Sequence, residues 1–168
     1  SSAASDVYKR QVVDQSSNAL VQQADSMKSS IETALGKDNV VIDVQKLSTD
    51  DADNATYFAQ SPDQKDFDMD ITGWGPDFQD PSTYLDILNP TDGSTLTGMG
   101  LDPKKDQALI EKIGLNQYKE LLDAANAEKL DTNARYEKYA AAQAWLTENA
   151  MVLPIYSKGG VPSITKVT

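Results

Sequence analysis

The sequence predicts an α/β fold with mostly parallel strands, and three observations predict it. Residues 16–35 carry one apolar helical face, and residues 40–44 follow at once as a short apolar run. After a polar connector, Phe67, Met69 and Ile71 alternate with Asp66, Asp68 and Asp70. A helix feeding into a buried strand, then a connector and another strand, is the order in which parallel sheets are built.

The elements follow in chain order. SSAASDVYKRQ at residues 1–11 has no apolar period and no cap leading into a helix, so residues 1–15 are expected to be a non-native or disordered leader. The folded region is then expected to occupy residues 16–168. Leu20, Ala24, Met27, Ile31 and Leu35 recur at intervals of three and four, with Ser16 or Ser17 as N-cap and Gly36 as a left-handed C-cap. Lys37-Asp38-Asn39 makes a polar turn into the strand Val40-Val41-Ile42-Asp43-Val44. The acidic connector over residues 48–64 leaves open a short helix around Ala52 to Ala59.

The run DFDMDITGWGPDFQDP at residues 66–81 places Phe67, Met69 and Ile71 on one face of an extended segment and Asp68 and Asp70 on the other. Gly73, Gly75 and Pro76 are expected to stop this strand, since Pro76 cannot donate to a ladder. Trp74, Asp77, Phe78 and Asp80 are thereby displayed on a loop, a plausible holder for a ligand with an apolar surface and a positive charge. Asp80-Pro81-Ser82 opens a short helix with Tyr84, Leu85 and Leu88, and residues 89–102 form a long Gly- and Thr-rich loop. Leu109 and Ile113 lead to Gly114, which breaks them from a second helical face of Leu115, Tyr118, Leu122 and Ala125. Asp131 or Thr132 caps a further helix striped by Tyr136, Tyr139, Ala142 and Leu146 beside Trp145. Residues 151–156 and 161–166 are β-capable, and the sequence then stops with no cap or turn, as at a cut end.

Composition excludes several functions. Fifteen basic against 26 acidic residues give a net charge of -11, which repels nucleic acid and anionic lipid. With neither cysteine nor histidine, the chain has no disulfide, no thiolate metal site and no histidine general base. No cofactor is expected.

The acids of the central run have competing readings. Asp66, Asp68 and Asp70 share the spacing of the first ligands of a calcium loop, but Ile71 stands where that loop needs glycine. Asp77 and Asp80 offer the two carboxylates of a glycosidase, with Trp74 stacking on a sugar. Against this, Asp80 is placed to cap the Pro81 helix. Asp77 has no such duty and is the better partner for a ligand ammonium. Trp74 is equally readable as local core or as a ligand wall.

The segment DFDMDITGWGPDFQDPSTYLDIL, with RYEKYAAAQAWLTENAMVLPIYSKGG, resembles the C-terminal part of the Gram-positive oligopeptide-binding lipoproteins, the solute-binding proteins of peptide ABC transporters. The resemblance runs from Ser16 to the last residue. It implies part of a two-lobed, type II periplasmic-binding-protein-like fold, non-enzymatic, that closes around an oligopeptide at the extracellular face of the membrane. It implies ABC importer membrane subunits as partners, no nucleic acid, and a lipid anchor that this chain does not carry. In the family the acid after the Trp-containing turn pairs with the peptide α-ammonium, and Asp77 matches it. Trp74 matches the tryptophan that lines the cleft, and Gly73, Gly75 and Phe78 complete the ligand-binding set implied for this loop. A carbohydrate-active enzyme and a same-fold protein with a non-peptide ligand remain as alternatives.

Overall fold

The computed structural model of the chain describes residues 7–155. Strands β1 (Tyr8–Asp14), β2 (Val41–Leu47) and β3 (Met69–Asp70) form a small open sheet in the order β2-β1-β3. Both pairings are parallel, with Gln11 opposite Val44 on one side and Met69 on the other. The expectation that residues 1–15 stand apart from the fold therefore fails for Tyr8–Asp14, the central strand. Main-chain pairing on both sides carries this segment, and Val12 and Val13, each 3% exposed, are its buried apolar contribution.

Helix α1 (Asn18–Leu35) crosses from β1 to β2. Its start is capped by Ser17, whose hydroxyl accepts the Leu20 N–H, and it ends at Gly36, whose N–H bonds to the Glu32 carbonyl. Of the predicted face, Ala24 is buried, Leu20, Met27 and Ile31 are half-buried, and Leu35 is exposed. Glu32 is the other buried residue of α1. Its carboxylate accepts the Ile42 N–H at 3.0 Å and pairs with Lys28 at 2.8 Å, while the Lys28 ammonium bonds to the Ile42 carbonyl. This ion pair occupies the main-chain N–H and C=O of Ile42 on the outer edge of β2, groups that an edge strand otherwise leaves unpaired.

Helix α2 (Thr49–Ala55), capped by Ser48, begins and ends earlier than the sequence suggested. Strand β3 is likewise shorter than the alternating run at residues 67–71, because only Met69 and Asp70 reach the register of β1.

The remainder is helical: α3 (Ser82–Leu85), α4 (Gln107–Lys112), α5 (Leu115–Ala127) and α6 (Thr132–Glu148). Gly114, at φ 79°, separates α4 from α5 in the left-handed conformation that favours glycine. Leu85, Leu88, Leu96, Leu101, Ile110, Leu115, Tyr118, Leu122, Tyr139, Trp145 and Leu146 make one core. Burial of each leucine contributes roughly 1.5–3 kcal/mol. Tyr118 donates its hydroxyl to the Leu85 carbonyl at 2.5 Å and lies against Trp145 at a ring separation of 5.9 Å, so the phenol is satisfied inside the core. Tyr136, expected on the buried stripe, is 52% exposed, and its neighbour Tyr139 takes the core position.

The sheet and helical parts meet where the 3₁₀ turn Pro62–Gln64 lies against the turn Thr97–Met99. They are joined covalently by the irregular segment at residues 71–81. Residues 151–155 form no strand, and the expected extended pieces at Tyr156 and at residues 161–166 lie outside the described residues. Among the described residues, no helix is long and apolar enough to cross a membrane.

Candidate functional site

Because the three strands are parallel, Asp14, Leu47 and Asp70 end them on one edge of the sheet, the side on which α/β sheets present ligands. The chain leaves β3 at Asp70 and runs without regular structure through Gly73, Trp74, Gly75, Asp77 and Phe78, all solvent-exposed. Trp74 is 38% exposed and Phe78 55%, so neither joins the buried core. Neither Gly73 nor Gly75 has positive φ, and a Cβ on either would meet nothing within 4 Å. The fold does not require glycine at these positions, and the strand has already ended before them. What glycine supplies is bare backbone open to close approach.

The two acids of the loop are separated by their partners. Asp80 is gripped by Arg135 on α6, with Nη1 to Oδ2 at 2.6 Å and Nη2 to Oδ1 at 2.9 Å. The same carboxylate accepts the Ser82 N–H at 2.9 Å across the turn into α3, although Pro81 and not Asp80 stands at the N-cap of that helix. Arg135 also donates to the Tyr139 hydroxyl at 2.7 Å and sits over that ring, and the Tyr139 hydroxyl donates to Asn126 at 2.6 Å. The Arg135 hydrogen bonds hold the Asp80 carboxyl well below the usual carboxylate range. Asp77, by contrast, has no cationic partner among the described residues. Its backbone N–H donates to the Thr83 hydroxyl at 3.0 Å, and that hydroxyl lies 3.5 Å from Asp77 Oδ2. A free carboxylate on an exposed loop beside a tryptophan can receive an ammonium; one already forked to arginine cannot serve as a proton donor near neutral pH.

A depression of about 260 Å³ opens where Gly73 leaves the sheet, walled by Val12, Leu20, Ala52, Tyr57 and Ile71 and edged by Asp14, Asp53 and Asp70. A larger depression of about 410 Å³ lies along α1 beside the edge of β2, but its Lys28 and Glu32 are committed to each other and no apolar side chain lines it. The cavity at the strand ends reaches the start of the loop at Gly73, whereas Trp74, Gly75, Asp77 and Phe78 do not line it. Burial pushes the Asp70 carboxyl up, with the Lys65 charge opposing. Asp70 and Asp80 thus act on stability with opposite signs. Asp80, with a depressed folded value, stabilises fully above pH ~4 and loses this as pH falls toward its folded value. Asp70, with a raised one, destabilises increasingly as pH rises from ~4 through its folded value. Melting curves between pH 3 and 7 are expected to show Asp80→Asn flattening the acid loss of stability and Asp70→Asn gaining stability toward neutral pH.

The three alternating acids do not form a metal centre. Asp66 pairs with Arg10, Asp68 accepts the Arg10 N–H at 2.8 Å, and Asp70 faces the depression. Among the described residues no group of three potential ligands is assembled. Sequence reasoning missed Thr83 and Arg135. Arg135 did carry a signal, since the chain's 15 basic residues include arginine only at positions 10 and 135, and a bidentate fork needs arginine. Thr83 carried none beyond its place in the turn after Asp80-Pro81.

No family model matches the chain. It is 51% identical over 156 residues, 92% of its length, to the oligopeptide-binding protein SarA of Streptococcus gordonii. It is 48% identical over 157 residues to the oligopeptide-binding protein AliA of Streptococcus pneumoniae, and 43% identical over 158 residues to AmiA of the same species, also an oligopeptide-binding protein. Its relatives are oligopeptide-binding proteins. The chain spans 23% of the length of SarA and 24% of AliA and AmiA. These relatives bear out the resemblance carried by the GWGPDFQDPSTYLD run and the KYAAAQAWL helix.

Proposed function

We propose that this chain supplies the amine-binding loop of a two-lobed protein that captures oligopeptides outside the cell and delivers them to an ABC importer. Asp77 pairs with the peptide α-ammonium, Trp74 and Phe78 wall the site, and Gly73 and Gly75 let the peptide backbone approach. The observation that carries this reading is the division of the two acids, Asp80 closed by Arg135 and Asp77 left open to an incoming cation. The names of the relatives support the ligand class.

The physics suits a carrier of many peptides. Side chains vary, whereas the charged terminus and the main-chain bonding groups are common to all, so a fixed acid sets the register and roomy surroundings tolerate the rest. Closure of the second lobe shields the ion pair, and the ligand's preference for the closed form drives that closure. The protein sits at the extracellular face of the membrane, held by a lipid anchor. The paired-carboxylate reading is disfavoured because both Asp80 oxygens are engaged by Arg135.

In the full-length protein, Asp77→Ala is expected to weaken calorimetric affinity for tetra-alanine by about 1.5–3 kcal/mol, the worth of a shielded charge-assisted hydrogen bond. Mass spectrometry of ligand released by denaturation is expected to find peptides. Unchanged affinity would remove Asp77 from the site, and a released sugar or other non-peptide would remove the ligand class.

A further inference from the structure

We propose that Thr83 is a positioning residue for peptide capture, holding the Asp77 carboxylate in the one orientation that receives the ammonium. This rests on the amine-binding role of Asp77 given above. Thr83 is 4% exposed, on the first turn of α3, yet its hydroxyl is turned toward the loop. That hydroxyl has one proton and two lone pairs. A lone pair accepts the Asp77 N–H at 3.0 Å, and the proton is directed at Asp77 Oδ2, 3.5 Å away and at the outer limit of a hydrogen bond. One oxygen thus ties both the backbone and the side chain of the acid, which restrains rotation about the bond between them. Oδ1 has no partner among the described residues, and Asp77 as a residue is exposed.

Capping does not account for the hydroxyl. The N-terminal N–H of α3 on Ser82 is taken by Asp80 Oδ1 at 2.9 Å, and the Thr83 N–H points to the Asp80 carbonyl at 3.3 Å. Threonine is also stiff about χ1, so its hydroxyl is held ready rather than ordered when the ligand arrives. Behind it stands the Asp80–Arg135 fork, which fixes the turn on α6. The chain therefore builds the acid's support in two tiers, a charged clamp that sets the turn and a neutral hydroxyl that aims the carboxylate.

A pre-aimed acid spares the complex part of the ordering cost of a side chain, and the gain applies only to ligands that use the acid. The test is calorimetry of the full-length protein and its variants with tetra-alanine and N-acetyl-tetra-alanine, read as the ratio of the two affinities. Thr83→Val is expected to shrink the ratio about three- to tenfold by weakening the free-amine peptide alone, and Thr83→Ser to keep most of it. Asp77→Asn is expected to abolish it. Should Asp77→Asn abolish the ratio while Thr83→Val leaves it intact, the positioning role is overturned and the amine site stands. Equal losses for both peptides in Thr83→Val would also overturn it, as the sign of a structural role. If Thr83→Val does not fold, a Thr83→Ser ratio as small as that of Asp77→Asn overturns the proposal, because the hydroxyl is retained. A parent protein with no preference for the free amine overturns the amine site and this proposal together.

Discussion

Gly93→Ala is expected to destabilise the helical part by about 3 kcal/mol or more, the upper range for overpacking against groups that cannot rotate away. An added Cβ would lie 2.5 Å from the Ile87 carbonyl oxygen and 2.7 Å from both the nitrogen and oxygen of Asn89. All three are backbone atoms, so relief requires moving the turn. That turn is closed by the Gly93 N–H to the Asn89 carbonyl at 2.7 Å and by the Thr95 N–H to the Ile87 carbonyl at 2.9 Å. Its displacement pulls on Leu88 and Leu96, which are 4% and 0% exposed in the core. Thermal unfolding followed by circular dichroism is the check, with the exposed neighbour Ser94→Ala as a control expected to change little.

The second large effect belongs to Arg135. Its replacement by alanine removes a two-pronged pair to Asp80 and the stacking and hydroxyl contacts to Tyr139, leaving a largely shielded carboxylate without its cation. The pair is 21% and 25% exposed at its two side chains, between the surface and buried cases, and a loss of about 2–3 kcal/mol follows from charge-assisted bonds of this kind. Arg135→Lys is expected to recover only part of this in denaturant melts, since an ammonium cannot reproduce the fork. Full recovery by lysine would mean that charge alone, and not geometry, ties the loop to α6.

What the sequence made legible follows from how locally each feature is determined. The start of α1 at Ser17, its end at Gly36, the break at Gly114 and the cap at Asp131 all depend on residues within one turn, and each stands where the spacing puts it. The central strand was missed because Tyr8–Asp14 is held by pairing with residues more than thirty and more than fifty positions away, which no local period announces. Leu96 and Leu101 sit in a stretch read only as loop, yet both are core, because isolated leucines between turns have no periodicity to reveal burial. At the site, the loop and its exposed acid were visible from the glycines and the tryptophan. The division between Asp77 and Asp80 was visible from the Pro81 turn, but the clamp that enforces it was not, since it depends on Arg135, 55 residues along the chain from Asp80.

The loop is thus a surface with one acid closed and one open, and the proposed peptide capture requires the open acid to meet a peptide amine. The most direct measurement is calorimetric titration of the unmodified full-length protein with tetra-alanine and its N-acetylated form. Loss of roughly ten- to a hundredfold in affinity on acetylation is the expected result, corresponding to a charge-assisted bond of about 1.5–3 kcal/mol. Equal affinity for the two forms would contradict the assignment of Asp77 as the amine anchor.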